Sequence, residues 1–411
     1  MSKRILPYAM WVLPLSFFTY QFILRLWPSL MMQQIMQQFQ IDATSFGLLA
    51  SVYYYGYAGM QLPIAVLLDR FGARYVVCIC AVVCGLATLL FTYTDNWALA
   101  LLSRFLVGAG SAAGFLATSK VISQWFGREY YARMVGFSFT VGLLGAIYGG
   151  KPVSLLVENF GWQHVAFVLA FVSIGIGVLT LLFLKTRSTT TQEESSLCLK
   201  DLRTLLSSPT IWLLAVSNLL MVGPLEGFAD VWGVNYLMQA MAIAKADAAG
   251  FVSYIFVGML FGGPLLAAWA KRAGNYTVIT LCSVGMVCAF LGLLYTNTVF
   301  TPYSLSILFF GVGILCCYQV LVFATGSELV PPAMLGITIA FLNCINMLGG
   351  SFFHSTIGWA MDLFWTGGTA EGIRSYTVQS YQQALLIIPV AAAIGRVIVA
   401  LVGWHRRKNV G

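Results

Sequence analysis

The chain has 411 residues, of which 59% are apolar and only 9% are charged, and its mean hydropathy is +0.85. Soluble globular proteins have about 25% charged residues, so this composition excludes a soluble protein and predicts one that crosses the membrane many times. The formal net charge is +8, but the basic residues concentrate in loops on one side of the predicted spans, so nucleic acid is not expected as a partner.

Apolar stretches of about 20 residues, the length of a helix that crosses about 30 Å of hydrocarbon, recur along the whole chain. We predict spans at 7–33, 46–68, 75–94, 97–122, 133–157, 163–185, 210–238, 248–270, 276–296, 303–327, 334–361 and 380–403. The first stretch is too long for the core of a signal peptide, and no small-residue cleavage site follows it. It is therefore expected to remain as a helix.

Most of the 22 Lys and Arg residues fall in loops on the side of the N-terminus, whereas Lys245 and Arg374 fall on the other side. Cytoplasmic loops carry the excess of basic residues in membrane proteins. Both termini are therefore predicted to be cytoplasmic, in a multi-pass protein that has the lipid bilayer of the inner (plasma) membrane as its partner.

The nine cysteines all lie in predicted spans or, for Cys198, in a cytoplasmic segment. None is expected to meet an oxidising compartment, so disulfides are not expected. The Cys and His residues also lack the spacing of metal ligands. We therefore expect neither a metal site nor a cofactor.

An internal repeat divides the spans into two sets. Shifting the chain against itself by about 200 residues places Ala132–Gly136 over Pro332–Gly336, and Gly149-Gly150 over Gly349-Gly350. Parallel repeats are typical of transporters whose substrate site lies near the bilayer midplane between the halves. We predict an all-α membrane protein with twelve transmembrane helices in two pseudo-symmetric six-helix halves, 1–185 and 209–411, joined by a cytoplasmic linker at 186–208.

Arg25 lies inside the first apolar stretch and is the first candidate for binding substrate. A charge at membrane depth costs between ~2.5 and ~10 kcal/mol or more, so it normally faces a bundle interior or a watery cavity. The alternative is a fixed salt bridge that only holds helices together.

The loop between the second and third spans reads Leu68-Asp69-Arg70-Phe71-Gly72-Ala73-Arg74. It resembles the Asp-Arg-x-Gly-x-Arg signature of the major facilitator superfamily, although the glycine that the family usually carries four residues before the aspartate is Ala65 here. The resemblance extends along the chain through Arg104–Gly110, the glycines of the fifth span and Phe160-Gly161-Trp162. In that family such a fourth-helix arginine implies a buried network that helps proton movement.

The resemblance implies that this loop is a cytoplasmic latch, which braces the two halves in the outward-open state. The residues that would form the latch are Asp69, Arg70, Gly72, Arg74 and Arg133, with Glu328 at the end of the tenth span as a partner. The alternative is that the basic residues only set the topology.

The first span also resembles the arginine-bearing first helix of the organophosphate and organic-anion branches, in which the arginine holds the substrate anion. Organophosphate antiporters carry a second arginine in the seventh helix, six residues before a tryptophan. Counting back from Trp232, that position is Glu226. This difference argues against phosphate esters, which favour two cations in a bidentate clamp.

Arg25 and Glu226 are expected at similar depth in the two halves, with opposite charges across a central cavity. Arg25 would receive a carboxylate, while Glu226 would receive an ammonium group or the coupling proton; a direct bridge between the two, with substrate bound elsewhere, is the alternative. Asp230 lies one helical turn beyond Glu226. It would share a proton with Glu226 or, alternatively, lie in solvent near the outer mouth.

Other polar side chains are candidates for substrate contact. Tyr53, Tyr57 and Gln61 repeat at four-residue spacing in the second span and would line the cavity, although such a stripe also suits simple packing. Gln319 in the tenth span and Asn346 in the eleventh are further candidates. Amides within membranes also bond to neighbouring helices.

These features predict a proton-coupled secondary transporter, acting as a monomer on a small zwitterionic or anionic substrate such as an amino acid, short peptide or carboxylate. The chain has no Gly-x-x-x-x-Gly-Lys-Ser/Thr loop, so an ion gradient must supply the energy. No catalytic motif converges in the spans, so an enzyme is not expected. Two alternatives are an exporter of amphipathic or siderophore-like compounds, favoured by the many aromatic and Met residues, and a transporter-like solute sensor.

Overall fold

The computed structural model describes residues 5–185, 204–295, 300–331 and 334–410. The first helices are α1 Leu6–Leu30, α2 Met32–Phe39, α3 Ala43–Tyr93, α4 Trp97–Ser111, α5 Ala113–Trp125, α6 Arg128–Gly149, α7 Lys151–Phe160 and α8 Trp162–Phe183. Residues 186–203 of the predicted linker 186–208, including Cys198, lie outside the described residues.

The second part of the chain begins with α9 Pro209–Met221, which a π-helix, Gly223–Trp232, and α10 Gly233–Met241 continue. The remaining helices are α11 Lys245–Ala273, α12 Asn275–Tyr295, α13 Pro302–Cys316, α14 Tyr318–Ser327, α15 Leu335–Leu363, α16 Val378–Leu385 and α17 Ile387–Val410. A short antiparallel hairpin lies between α15 and α16 and pairs β1 Thr369–Ala370 with β2 Ile373–Arg374.

Eleven helical stretches in the described residues are long and apolar enough to cross a membrane. One of them, α3, has 51 residues, and at 1.5 Å per residue it would be about 76 Å long, more than twice the thickness of the hydrocarbon. Its backbone leaves helical geometry at Gly72, where φ is 78° and ψ is 162°, a conformation that glycine adopts readily. The helix α3 therefore provides two spans, and the predicted fold class with twelve transmembrane helices is confirmed.

Local sequence explains several helix boundaries. The side chain of Asn96 accepts hydrogen bonds from the backbone N–H groups of Ala98 and Leu99 and so caps the start of α4. Thr301 and Ser304 form a reciprocal capping box at the start of α13. These polar caps satisfy N–H groups that the first turn of a helix leaves without a partner.

The described residues form two compact units, one containing 5–41 and 49–185 and the other containing 42–48 and 204–410. In the first unit α3 and α4 approach closely at two glycines. A Cβ at Gly56 would lie 2.3 Å from the carbonyl oxygen of Phe105, and a Cβ at Gly108 would lie 1.9 Å from that of Tyr53. Only glycine permits backbones to come this close.

The second unit repeats this glycine packing between α11 and α13. A Cβ at Gly258 would lie 2.1 Å from the carbonyl oxygen of Phe310, and a Cβ at Gly313 would lie 2.0 Å from that of Ile255. Each unit therefore contains the same reciprocal glycine contact, which is the structural counterpart of the sequence repeat.

Candidate functional site

In the first unit, Arg25 lies on α1 and is half-buried. Its guanidinium carbon lies 5.4 Å from the ring centre of Tyr54 on α3 and 5.7 Å from that of Phe22. Rings at this distance attract a cation through their negative faces. Two aromatic rings therefore lie against the Arg25 charge.

Arg104, on α4, is only 2% exposed. Its Nη1 donates a hydrogen bond of 3.0 Å to the backbone oxygen of Leu24, and its guanidinium carbon lies 5.1 Å from the ring centre of Tyr53. In the described part of the chain it makes no ion pair with an acidic side chain, and its Nε has no hydrogen-bond partner. Burying a charge without a counter-charge is costly, so Arg104 is a candidate for binding an anion.

The predicted tyrosine stripe lies beside both arginines. Tyr53 is buried and donates a hydrogen bond of 3.0 Å to Oε1 of Gln21 on α1. The half-buried Tyr57 stacks on Tyr53 with 6.2 Å between ring centres, and Gln61 follows as a buried residue. The structure therefore brings Tyr53 and Arg104 together and places Arg25 on the adjacent ring of Tyr54.

In the second unit, Glu226 and Asp230 lie in the π-helix, and each is only 1% exposed. π-Helices are rare and usually short, and they occur often at functional sites. Sequence reasoning predicted a regular span here and missed the π-helix. Two of its glycines pack against Phe353: a Cβ at Gly223 would lie 2.8 Å from the ring of Phe353, and one at Gly227 would lie 3.0 Å from its Cβ.

A group of amides lies where α9, α14 and α15 meet, in which Asn218 and Asn346 are fully buried and Gln319 is half-buried. The Nδ2 atom of Asn346 donates a hydrogen bond of 3.2 Å to Oε1 of Gln319, and the Tyr318 hydroxyl donates one of 3.0 Å to the backbone oxygen of Asn218. Within the described residues, both polar side-chain atoms of Asn218, Nε2 of Gln319 and Oδ1 of Asn346 have no hydrogen-bond partner. Sequence reasoning had selected Gln319 and Asn346 but not Asn218.

A second polar cluster, also missed from the sequence, surrounds Asp362 at the end of α15. This carboxylate accepts hydrogen bonds from the backbone N–H of Thr44 at 2.7 Å, from Nη1 of Arg374 at 2.9 Å and from the Tyr376 hydroxyl. Asp42 lies 3.7 Å from the same arginine. The hydrogen bond to Asp362 raises the pKa of Arg374, so this arginine stays charged. The cluster holds the first turn of α3 against the end of α15, and both belong to the second unit.

The predicted latch residues form contacts of their own. Asp69 forms an ion pair of 2.6 Å with Lys120 at the end of α5, a partner that sequence reasoning did not select. Nε of Arg74 donates to the backbone oxygen of Leu181 at 2.6 Å. Gly72 breaks α3 beside them.

The other latch residues are partly exposed or exposed. Arg70 lies over the ring of Phe71 and Arg133 over that of Phe137. In the second unit, Glu328 accepts a hydrogen bond of 3.3 Å from Nδ2 of Asn275. Among the described residues, no cluster of three or more His, Cys, Asp or Glu side chains has the arrangement of a metal site.

The family model described as Major Facilitator Superfamily matches residues 12–354. The uncharacterized transporter YybO of Bacillus subtilis is 25% identical over 367 residues, which cover 80% of this chain and 81% of YybO. The membrane sensor protein UhpC of Salmonella typhimurium is 22% identical over 378 residues, covering 85% of this chain and 83% of UhpC. The probable galactarate/D-glucarate transporter GudP of Escherichia coli is 23% identical over 382 residues, covering 82% of each.

A solved structure has the same fold. The inward-facing, occupied form of a bacterial homolog to the human lysosomal transporter Spinster aligns with a TM-score of 0.77 and 17% identity, covering 97% of each chain.

Proposed function

Because the chain belongs to the major facilitator superfamily, and is thus a membrane transporter rather than an enzyme, we propose that it moves a small organic anion by alternating access. The observation that carries this proposal is the buried Arg104, which has no acidic partner among the described residues. It lies over the ring of Tyr53, and Arg25 lies over the ring of the neighbouring Tyr54. Two cations on neighbouring rings create a positive potential that attracts a carboxylate. An arginine presents several N–H donors in a plane that matches a carboxylate.

The amide group of the second unit supports a hydroxylated carboxylate as substrate. Asn218 and Asn346 are completely buried, and a buried amide atom without a partner costs about 1–3 kcal/mol. An amide offers both a donor and an acceptor, as a hydroxyl group does. The relative GudP is named for galactarate and D-glucarate, which are hydroxylated dicarboxylates, and we propose this class ahead of amino acids and short peptides.

Glu226 and Asp230 are proposed to carry the coupling proton. Both carboxyl groups are almost completely buried in the π-helix, inside a helical stretch long enough to cross the membrane. Their four-residue spacing is within one turn of a helix whose hydrogen bonds join residues five apart. We propose that the two carboxyl groups hold one proton between them.

The transport cycle and the placement of the protein remain as proposed from the sequence. The two halves 1–185 and 209–411, connected by 186–208, would rock against each other in a monomer, with both termini in the cytoplasm. The latch of Asp69, Arg70, Gly72, Arg74, Arg133 and Glu328 would act on the cytoplasmic side. The backbone break at Gly72 and the ion pair of Asp69 support a specialised loop at this position.

A solute sensor is the second candidate function. The similarity to UhpC, whose name describes a membrane sensor protein, favours it. A sensor would bind the anion without moving it, so binding and flux measured on the same preparation separate the two functions.

The test is uptake of labelled galactarate, tartrate and amino acids into proteoliposomes with an imposed pH gradient. Arg25→Ala and Arg104→Ala should abolish uptake of the organic acids. The control is Arg396→Ala, because Arg396 is also an arginine in a spanning helix but is exposed. Uptake that survives in both site variants would contradict the proposal, and binding without uptake by the unmodified protein would favour the sensor.

A further inference from the structure

The helix α1 contains Pro28 two residues before its last residue. Proline has no backbone N–H, and its ring clashes with the carbonyl group four residues earlier. In α1 that carbonyl belongs to Leu24, so the Leu24 oxygen lacks the donor that an α-helix normally supplies. Leu24 is buried and directly precedes Arg25.

Arg104 supplies the missing donor. Its Nη1 lies 3.0 Å from the Leu24 oxygen, although the two residues are 80 positions apart in the chain. A hydrogen bond from a charged donor is stronger than one between neutral groups. The anchor therefore holds the Arg104 guanidinium against the backbone next to Arg25, while Nε keeps no hydrogen-bond partner in the described structure.

We propose that Pro28 is a positioning residue for the substrate anion, because it frees the Leu24 carbonyl to anchor Arg104 beside Arg25 with Nε left to bind the anion. The inference rests on the proposed function, in which these two arginines bind an organic anion. In this proposal Pro28 does not contact the substrate but determines the position of the Arg104 guanidinium.

A second proline in the same helix provides a matched control. Pro14 is also buried inside α1, and the carbonyl four residues earlier belongs to Met10. In the part of the chain that the structure describes, no side-chain hydrogen bond reaches that carbonyl. Replacing Pro14 therefore restores a helical N–H without displacing a cation.

The first test compares the transport kinetics of Pro28→Ala and Pro14→Ala for an organic acid that the unmodified protein transports. Restoring the N–H at position 28 should raise the KM about tenfold, the effect of weakening one hydrogen bond to a charged group, with kcat nearly unchanged. Pro14→Ala should leave the KM unchanged. In an Arg104→Lys background, Pro28→Ala should have little further effect, because a single ammonium group cannot reproduce the forked guanidinium. An unchanged KM in Pro28→Ala, or an equal rise in both backgrounds, overturns the proposal.

The second test needs no substrate, so it separates this inference from the proposed function. The Tm of the purified protein is measured for Pro28→Ala, Arg104→Met and the double variant. In the Arg104→Met background there is no anchor for Pro28→Ala to break. If Arg104 uses the freed carbonyl, Pro28→Ala should therefore lower the Tm less in that background than in the unmodified protein, or raise it. Equal changes in both backgrounds overturn the anchor. If the anchor is found but no organic anion is transported or bound, the proposed function fails instead.

Discussion

The ammonium nitrogen of Lys120 lies 2.6 Å from a carboxylate oxygen of Asp69, so the aspartate of the predicted latch has a partner within its own unit. The two side chains are 31% and 58% exposed. Exposed ion pairs contribute only about 0–1 kcal/mol, since water screens both charges. The contact therefore contributes little to the stability of the fold.

We expect Lys120→Gln to lower the free energy of unfolding by less than about 1 kcal/mol. Thermal unfolding in detergent at low and high salt measures this directly, and the small difference should shrink further at high salt. A large loss of stability that persists at high salt would contradict the prediction.

The Asp362 cluster should behave in the opposite way. The Asp362 side chain is 11% exposed and accepts hydrogen bonds from Thr44, Arg374 and Tyr376. Asp362→Asn removes the charge that these donors contact, so we expect a loss of about 2 kcal/mol, the scale of a hydrogen bond to a charged group. The measurement is the Tm, with Asp95→Asn as control because Asp95 is an exposed carboxylate. Equal Tm values for the two variants would show that the cluster does not stabilise the protein.

Much of this fold was predictable because spanning helices are a local property of the sequence. Each needs about 20 apolar residues, and the predicted 97–122 corresponds to α4 and α5, Trp97 to Trp125. Arg25 was also predictable as a candidate, since a charge inside an apolar stretch is conspicuous. The loop at 68–74 was noticed through its family resemblance, and its role as a latch stays a prediction.

The contacts that join distant segments were not predictable. The Arg104 anchor depends on a carbonyl 80 residues away, and Asp362 meets Thr44 across 318 residues. No periodic pattern encodes such pairs. The π-helix was missed because its hydropathy matches that of an α-helix, and only its packing against Phe353 distinguishes Gly223 and Gly227.

The close contact of Gly223 with Phe353 gives a prediction for the π-helix. Gly223→Ala places a methyl group 2.8 Å from the ring of the fully buried Phe353, and overpacking of this kind costs about 1–3 kcal/mol. We expect a lower Tm, restored in part by Phe353→Leu. Gly175→Ala is the matched control in α8, where no atom lies within 4 Å of the added group. A fall in Tm for both glycine variants would mean that the contact is not the cause.

The amide group should determine preference among organic acids. Gln319→Met and Asn346→Leu replace the amides by apolar side chains of similar volume. The hydroxyl groups of a bound substrate would then have no hydrogen-bond partner at these positions. We expect the KM for galactarate to rise about tenfold, the cost of one unmade hydrogen bond. The KM for adipate, the unsubstituted acid of the same length, should change little. Competition of both acids against a labelled substrate in proteoliposomes measures the ratio, and an equal change for the two acids would show that the amides do not recognise hydroxyl groups.

Neutralising Glu226 should separate binding from proton coupling. Glu226→Gln keeps the size of a side chain that is only 1% exposed but cannot take up or release a proton, so uptake driven by a pH gradient should be lost. Exchange of labelled for unlabelled substrate across the membrane needs no net proton movement and should continue. Asp230→Asn, changed in the same way one turn along the π-helix, should weaken gradient-driven uptake to a similar degree if the two carboxyl groups share one proton. Full gradient-driven uptake by Glu226→Gln would place the proton elsewhere, whereas loss of both uptake and exchange would assign Glu226 to substrate binding rather than to coupling.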